Sequence, residues 1–153
     1  MADSRQAASV QPIEPRKKFR WVITSPPYYG MRTYRPDQWL RNWFLGGPDT
    51  VDYSNQDQVV HESPEAFAGD LLAVWRNLLR ACSSTAQMVI RFGGIADRNA
   101  EPLEIIKGSL APSGWTIKTI IRAGTASNGR RQADGFLRAR SQPLTEYDVW
   151  ASA

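Results

Sequence analysis

The chain has 153 residues, 42% hydrophobic and 22% charged, which suits one packed domain and excludes wholesale disorder. No apolar run approaches membrane-spanning length, and a single cysteine (Cys82) with a single histidine (His61) leaves no intrachain disulfide and no metal cage built on Cys and His. The net charge of +4 leans toward a polyanionic partner without requiring one.

Residues 1–18 are polar, lack an apolar signal core and end in Arg16-Lys17-Lys18. They read as a flexible lead-in to a unit spanning 19–153, with a cytoplasmic location expected by default. Phe19–Thr24 has an apolar, β-branched centre and is expected to be a strand buried on both faces, stopped by Ser25-Pro26-Pro27. Tyr28 to Glu62 reads as a long irregular insertion, with a short helix over Asp37 to Phe44. Trp39 and Trp43 within it are expected in the core.

Ser63-Pro64-Glu65 is a helix start: a capping Ser, Pro at the first helical position and an acid in the first turn. Phe67, Leu71, Val74, Trp75, Leu78, Leu79 and Cys82 then recur at helical spacing. Gln87–Phe92 reads as a second buried strand closed by Gly93-Gly94. A helix over Glu101–Leu110 follows, with Leu103, Ile106 and Leu110 inward and Pro112-Ser113-Gly114 as its stop. Trp115–Arg122 alternates, placing Trp115, Ile117, Thr119 and Ile121 on one face, as suits a strand near a sheet edge. A loop from Ala123 to Gln142 leads to a last strand at Glu146–Ala151. With no helix between them, the final two strands are expected to form an antiparallel hairpin. The whole is an α/β layered architecture.

Thr24-Ser25-Pro26-Pro27-Tyr28-Tyr29-Gly30 falls at the carboxyl end of the first strand, where open α/β sheets bind ligands. Ser25 offers a hydroxyl acceptor. The prolines stiffen the turn and leave the Pro26 carbonyl free to accept, and Tyr28 supplies a flat ring. Two acceptors and one ring complement a planar molecule bearing an exocyclic amine.

Ser25-Pro26-Pro27-Tyr28 after a hydrophobic strand resembles the catalytic motif of the DNA amino-methyltransferases, which modify cytosine N4 or adenine N6. The following helix, strand, helix and terminal strand pair resemble, in order, the downstream half of that family's Rossmann-like fold. The resemblance covers about residues 19 to 151 and implies a partial methyltransferase fold, strands four to seven of the family, ending in the antiparallel pair. It implies that the target base is flipped from the duplex. Tyr28 then stacks on the base, and Ser25 and the Pro26 carbonyl accept hydrogen bonds from its amine. S-adenosyl-L-methionine is the implied cofactor, touched here only by Thr24 and Ser25. A Ser at the motif's first position goes more often with cytosine N4, and an Asp with adenine N6. Restriction-modification is the implied setting.

The family's glycine-rich cofactor turn, of Asp-Pro-Phe-x-Gly-x-Gly type, is missing. Gly46-Gly47-Pro48 follows no strand. Phe92-Gly93-Gly94-Ile95-Ala96 follows one but lacks the preceding Asp-Pro, so it reads as a strand-to-helix turn. The chain is therefore expected to be the catalytic part of a split or truncated enzyme, inactive without a cofactor-binding partner. The first strand would be an exposed sheet edge, ready for that second subunit or for a second copy of the chain. Around the motif, Tyr29, Arg32, Tyr34 and Arg35 mix basic and aromatic groups suited to gripping a DNA strand, and Arg130 and Arg131 could contact phosphates.

Two alternatives stand beside this reading. One is a non-catalytic subunit that only positions DNA. The other is an adaptor presenting Pro26-Pro27-Tyr28-Tyr29 as a Pro-Pro-x-Tyr peptide, which the adjoining apolar strand argues against. An RNA or protein substrate for the same chemistry is also compatible with these residues.

Overall fold

A computed structural model of the chain describes residues 4–6, 10, 18–30, 39–41, 43–50, 62–94, 100–125 and 145–153. Its regular elements are β1 (Phe19–Thr24), α1 (Pro64–Ala81), β2 (Cys82–Phe92), α2 (Pro102–Leu110), a 3₁₀ turn (Ala111–Ser113), β3 (Thr116–Thr125) and β4 (Thr145–Ser152). The strands form one sheet in the order β1-β2-β4-β3. β1 runs parallel to β2, and β4 inserts antiparallel between β2 and β3. The terminal pair is antiparallel, as expected, and its last strand lies inside the sheet.

α1 starts where its sequence says it should. Ser63 is extended, and its hydroxyl accepts from the Ala66 amide at 3.1 Å. Phe67, Leu71 and Trp75 face the sheet and are fully buried against Met88, Ile90 and Phe92 of β2 and Val149 of β4. α2 covers the same face with Ile105, Ile106 and Leu110; Leu103 is only half-buried. Trp75 ties the layers together. Its Nε1 donates to Ser109 Oγ at 3.0 Å, and Trp115 Nε1 donates to the Trp75 carbonyl at 3.0 Å. A buried indole N–H left without an acceptor would cost about 1–3 kcal/mol, so these bonds keep the core polar-satisfied.

Several expectations are corrected. β2 begins at Cys82, five positions before the apolar run. Cys82 is accordingly the extended cap of α1 and not a helix residue, although it is buried and its thiol pKa is pushed up by burial. In β3 the register shifts between Ile117 and Thr119, and the extra residue turns the alternation over. Ile117 and Ile120 therefore pack on the core while Ile121 is exposed. Residues 39–41 and 43–44 are helical, but Trp39 and Trp43 stack on each other at 6.4 Å and Trp43 is exposed, not core. Part of the lead-in is held down: the buried Asn77 amide donates to the Ser4 and Arg5 carbonyls at 3.1 and 2.7 Å, and Arg5 pairs with Asp70 at 3.1 Å.

β1 is the expected sheet edge, but it is not buried on both faces. Only Val22 is buried; Trp21 is 56% and Ile23 79% exposed. Their partners Gln87 and Val89 in β2 also point to this face, with Trp150 beyond Val89 in β4. α1 and α2 lie on the opposite face. One side of the sheet is thus open among the described residues, and β1 is its edge. A sheet that is parallel where β1 meets β2 normally carries layers on both sides. Exposed apolar side chains beside an unpaired edge favour association. The double variant Trp21→Ser/Ile23→Lys is expected to shift the isolated chain toward monomer in sedimentation velocity, with its helical circular dichroism unchanged.

Candidate functional site

The parallel ladder of β1 and β2 sets Thr24 beside Ile90, which brings Ser25 level with Arg91. Ser25 is exposed there. It lines a cleft of about 380 Å³ on the open face together with Ile23, Thr24, Val89, Arg91 and Asp148. The cleft sits at the carboxyl ends of β1 and β2, the position at which a sheet of this kind takes a ligand. Its polar floor is a two-pronged ion pair: Arg91 Nε and an Arg91 terminal nitrogen each donate to Asp148 carboxylate oxygens at 2.8 Å. The Arg91 bond and charge hold the Asp148 carboxyl below the usual carboxylate range, against a smaller upward push from burial. Asp148 in turn raises the Arg91 pKa by hydrogen bond and charge, with lesser contributions from Glu146 and Tyr28.

Beyond Thr24 the prolines carry the chain off the sheet and over its tip. Tyr28 is half-buried there. Its ring meets Phe92 edge-on at 5.7 Å, and its hydroxyl donates to Glu146 Oε1 at 2.5 Å. Gly93 lies beneath it, buried. A Cβ at that position would sit 3.3 Å from two Tyr28 ring carbons and 3.0 Å from Glu146 Cγ. The absence of a side chain is therefore what lets the ring close over the end of β2. Tyr29 turns inward and meets Phe67 edge-on at 5.6 Å, so it serves the core.

Of the residues singled out in the sequence, Thr24 and Ser25 line the cleft. Pro26 and Pro27 form the half-buried turn, and Tyr28 stands at the tip, outside the cleft lining. Arg32, Tyr34, Arg35, Arg130 and Arg131 lie outside the described residues. Sequence reasoning missed Arg91, Asp148, Glu146 and the packing role of Gly93. One local signal was present for the first: an arginine inside Met88-Val89-Ile90-Arg91-Phe92 demands a partner.

The fit to S-adenosyl-L-methionine is partial. Thr24 and Ser25 can form one wall beside such a molecule. Gly93 and Gly94 are not among the glycines with positive φ, and Gly93 is filled over by Tyr28. Gly93 and Gly94 therefore make no glycine-rich cradle. The described residues also hold no cluster of His, Cys, Asp and Glu able to bind a metal ion, and no helix long and apolar enough to cross a membrane.

Two measurements follow from this geometry. Gly93→Ala is expected to destabilise the chain by about 1–3 kcal/mol in denaturant unfolding, as added core atoms do. The Asp148 pKa is lowered on folding, so the pair's stabilisation is present above the usual carboxylate range and fades as pH falls through the lowered value. Asp148→Asn should melt below the wild type at neutral pH, and the two melting temperatures should converge on acidification.

No family model matches the chain and no curated protein matches it in sequence. Solved structures do match its fold. The chain aligns over 99% of its length with 50% of a candidate DNA modification methylase from Thermus thermophilus in selenomethionine form, with TM-score 0.52 and 18% identity. A structure of the same protein complexed with S-adenosyl-L-methionine matches over 99% of this chain and 53% of that one, with TM-score 0.54 and 19% identity. The chain thus spans about half the length of this neighbour. The mixed α/β, partial Rossmann-like architecture expected from the sequence is the one found.

Proposed function

We propose that the chain is the catalytic part of an S-adenosyl-L-methionine-dependent DNA amino-methyltransferase, acting on cytosine N4. The cofactor half would come from other polypeptide, in a second subunit or elsewhere on a longer chain. The observation that carries this reading is the placement of Ser25-Pro26-Pro27-Tyr28. It stands beside a ligand-sized cleft at the tip of an edge strand whose neighbouring sheet face lies open. Support also comes from the fold neighbour, which is about twice as long and has been seen with S-adenosyl-L-methionine.

Bound in the completed site, the cofactor would supply an electrophilic methyl group and leave as a thioether. The chain's own residues act on the base. The Ser25 hydroxyl and the Pro26 carbonyl accept the two N–H bonds of the exocyclic amine, which holds its lone pair aimed away from them. Tyr28 packs on the flipped ring and keeps it from turning. The surplus proton on nitrogen passes to solvent, so no side chain need serve as a base. Ser25 takes this part as a neutral acceptor on the exposed rim of the cleft, the requirement for reaching a substrate.

Transfer of a labelled methyl group to unmethylated DNA tests the proposal. Little transfer is expected from the chain alone, and clear transfer once a polypeptide with the Asp-Pro-Phe-x-Gly-x-Gly turn is added. Ser25→Ala and Tyr28→Ala should each cut the rate at least about a hundredfold, the scale of losing a positioned group at a reacting centre. Full activity in both variants would show that the strand tip is not the reacting centre. Retained DNA binding without transfer in any mixture would instead favour a subunit that only positions DNA.

A further inference from the structure

Glu146 lies at the start of β4, opposite Gly124 of β3 and one residue past the Tyr147–Phe92 pair. It is separated from Tyr28 by 118 positions, yet its carboxylate accepts the Tyr28 hydroxyl proton in a 2.5 Å bond. That length is within the short range of hydrogen bonds from a hydroxyl to a carboxylate, which are about twice as strong as neutral ones. We propose that Glu146 is a positioning residue, holding the hydroxyl end of Tyr28 so that the ring stands where it meets a flipped base. This deepens the proposed function and rests on it.

Three contacts with described residues bear on the ring. Phe92 touches it edge-on, Gly93 backs it, and Glu146 anchors its far end. Phe92 and Gly93 end β2, while Glu146 belongs to β4, so the anchor spans the joint between the two strands. A half-buried ring loses entropy when a second flat molecule stacks on it, unless it is already fixed. Glu146 supplies that fixation beforehand and does not itself touch the base. A side chain at 93 would crowd both the Tyr28 ring and Glu146 Cγ, which suits a glycine there.

The test uses the full chain and a single-stranded oligonucleotide with one 2-aminopurine, whose fluorescence responds to stacking. Tyr28→Ala should abolish the response. A flat response in the wild type, or an unaltered one in Tyr28→Ala, sinks the base-stacking reading and this proposal with it. Glu146→Ala and Tyr28→Phe should each weaken the dissociation constant by roughly tenfold, in line with loss of one hydrogen bond to a charged group. Their double variant should be no worse than either alone, as expected when one bond carries both effects. If both single variants respond like the wild type while Tyr28→Ala does not, the stacking reading stands and the positioning role falls. Additive losses in the double variant also overturn it, because Glu146 would then act by a route other than the Tyr28 hydroxyl.

Discussion

The parallel pairing of β1 with β2 governs everything at the strand tip. Because Thr24 lies beside Ile90, the chain leaves the sheet before β2 ends at Phe92. Ser25 therefore stays on the open face beside Arg91, while the proline turn must climb over Phe92 and Gly93 before Tyr28 can settle. A one-residue slip would send Trp21 and Ile23 into the helix-covered face and expel Val22, exchanging the two sides of the strand. The core and the candidate site are thus specified by the same ladder. Burying Val22 against Met88 also sets the reach of Ser25.

The open face completes that logic. α1 and α2 sit on one side, and their apolar residues close a core around β2 and β4. On the other side Trp21 and Ile23 look outward. Each Å² of apolar surface removed from water stabilises by about 25 cal/mol, so an uncovered patch of this kind is a standing driving force for contact. The cleft beside Ser25 is part of the same face. Any layer that covers the apolar patch would also form the missing wall of the cleft. On the proposed function, covering this face and walling the cleft would be one event.

Local features were legible in the sequence and distant pairings were not. The Ser63-Pro64-Glu65 start of α1 was readable because a cap is formed within four residues. The element order of an α/β unit followed from alternating periodicities. The start of β2 was hidden because Ser83, Ser84 and Thr85 extend it with polar residues that need no burial. The faces of β3 were misread because a register shift leaves no compositional mark. The one-sided burial of β1 was invisible, since an apolar strand looks the same whether or not a layer covers its second face. At the site, Ser25 and Tyr28 announced themselves through the proline turn between them. Arg91 with Asp148, and Tyr28 with Glu146, are joined only by the fold, 57 and 118 positions apart.

These pairings bear on why position 25 carries a hydroxyl. Asp148 already occupies the guanidinium of Arg91 with two 2.8 Å bonds, and Arg91 is the one cation among the described residues lining the cleft. Glu146 lies near enough to act electrostatically on the same guanidinium. A carboxylate at 25 would be a further negative charge competing for a cation that is already paired, and like charges so placed raise each other's cost. A serine accepts a hydrogen bond from an amine without adding charge. The fold's own electrostatics therefore favour a neutral acceptor at this tip, independently of any resemblance to a motif. On the proposed function, recognition of an amine would then rest on hydrogen-bond geometry and ring packing, with the charged groups left to hold the strands and the hydroxyl of Tyr28.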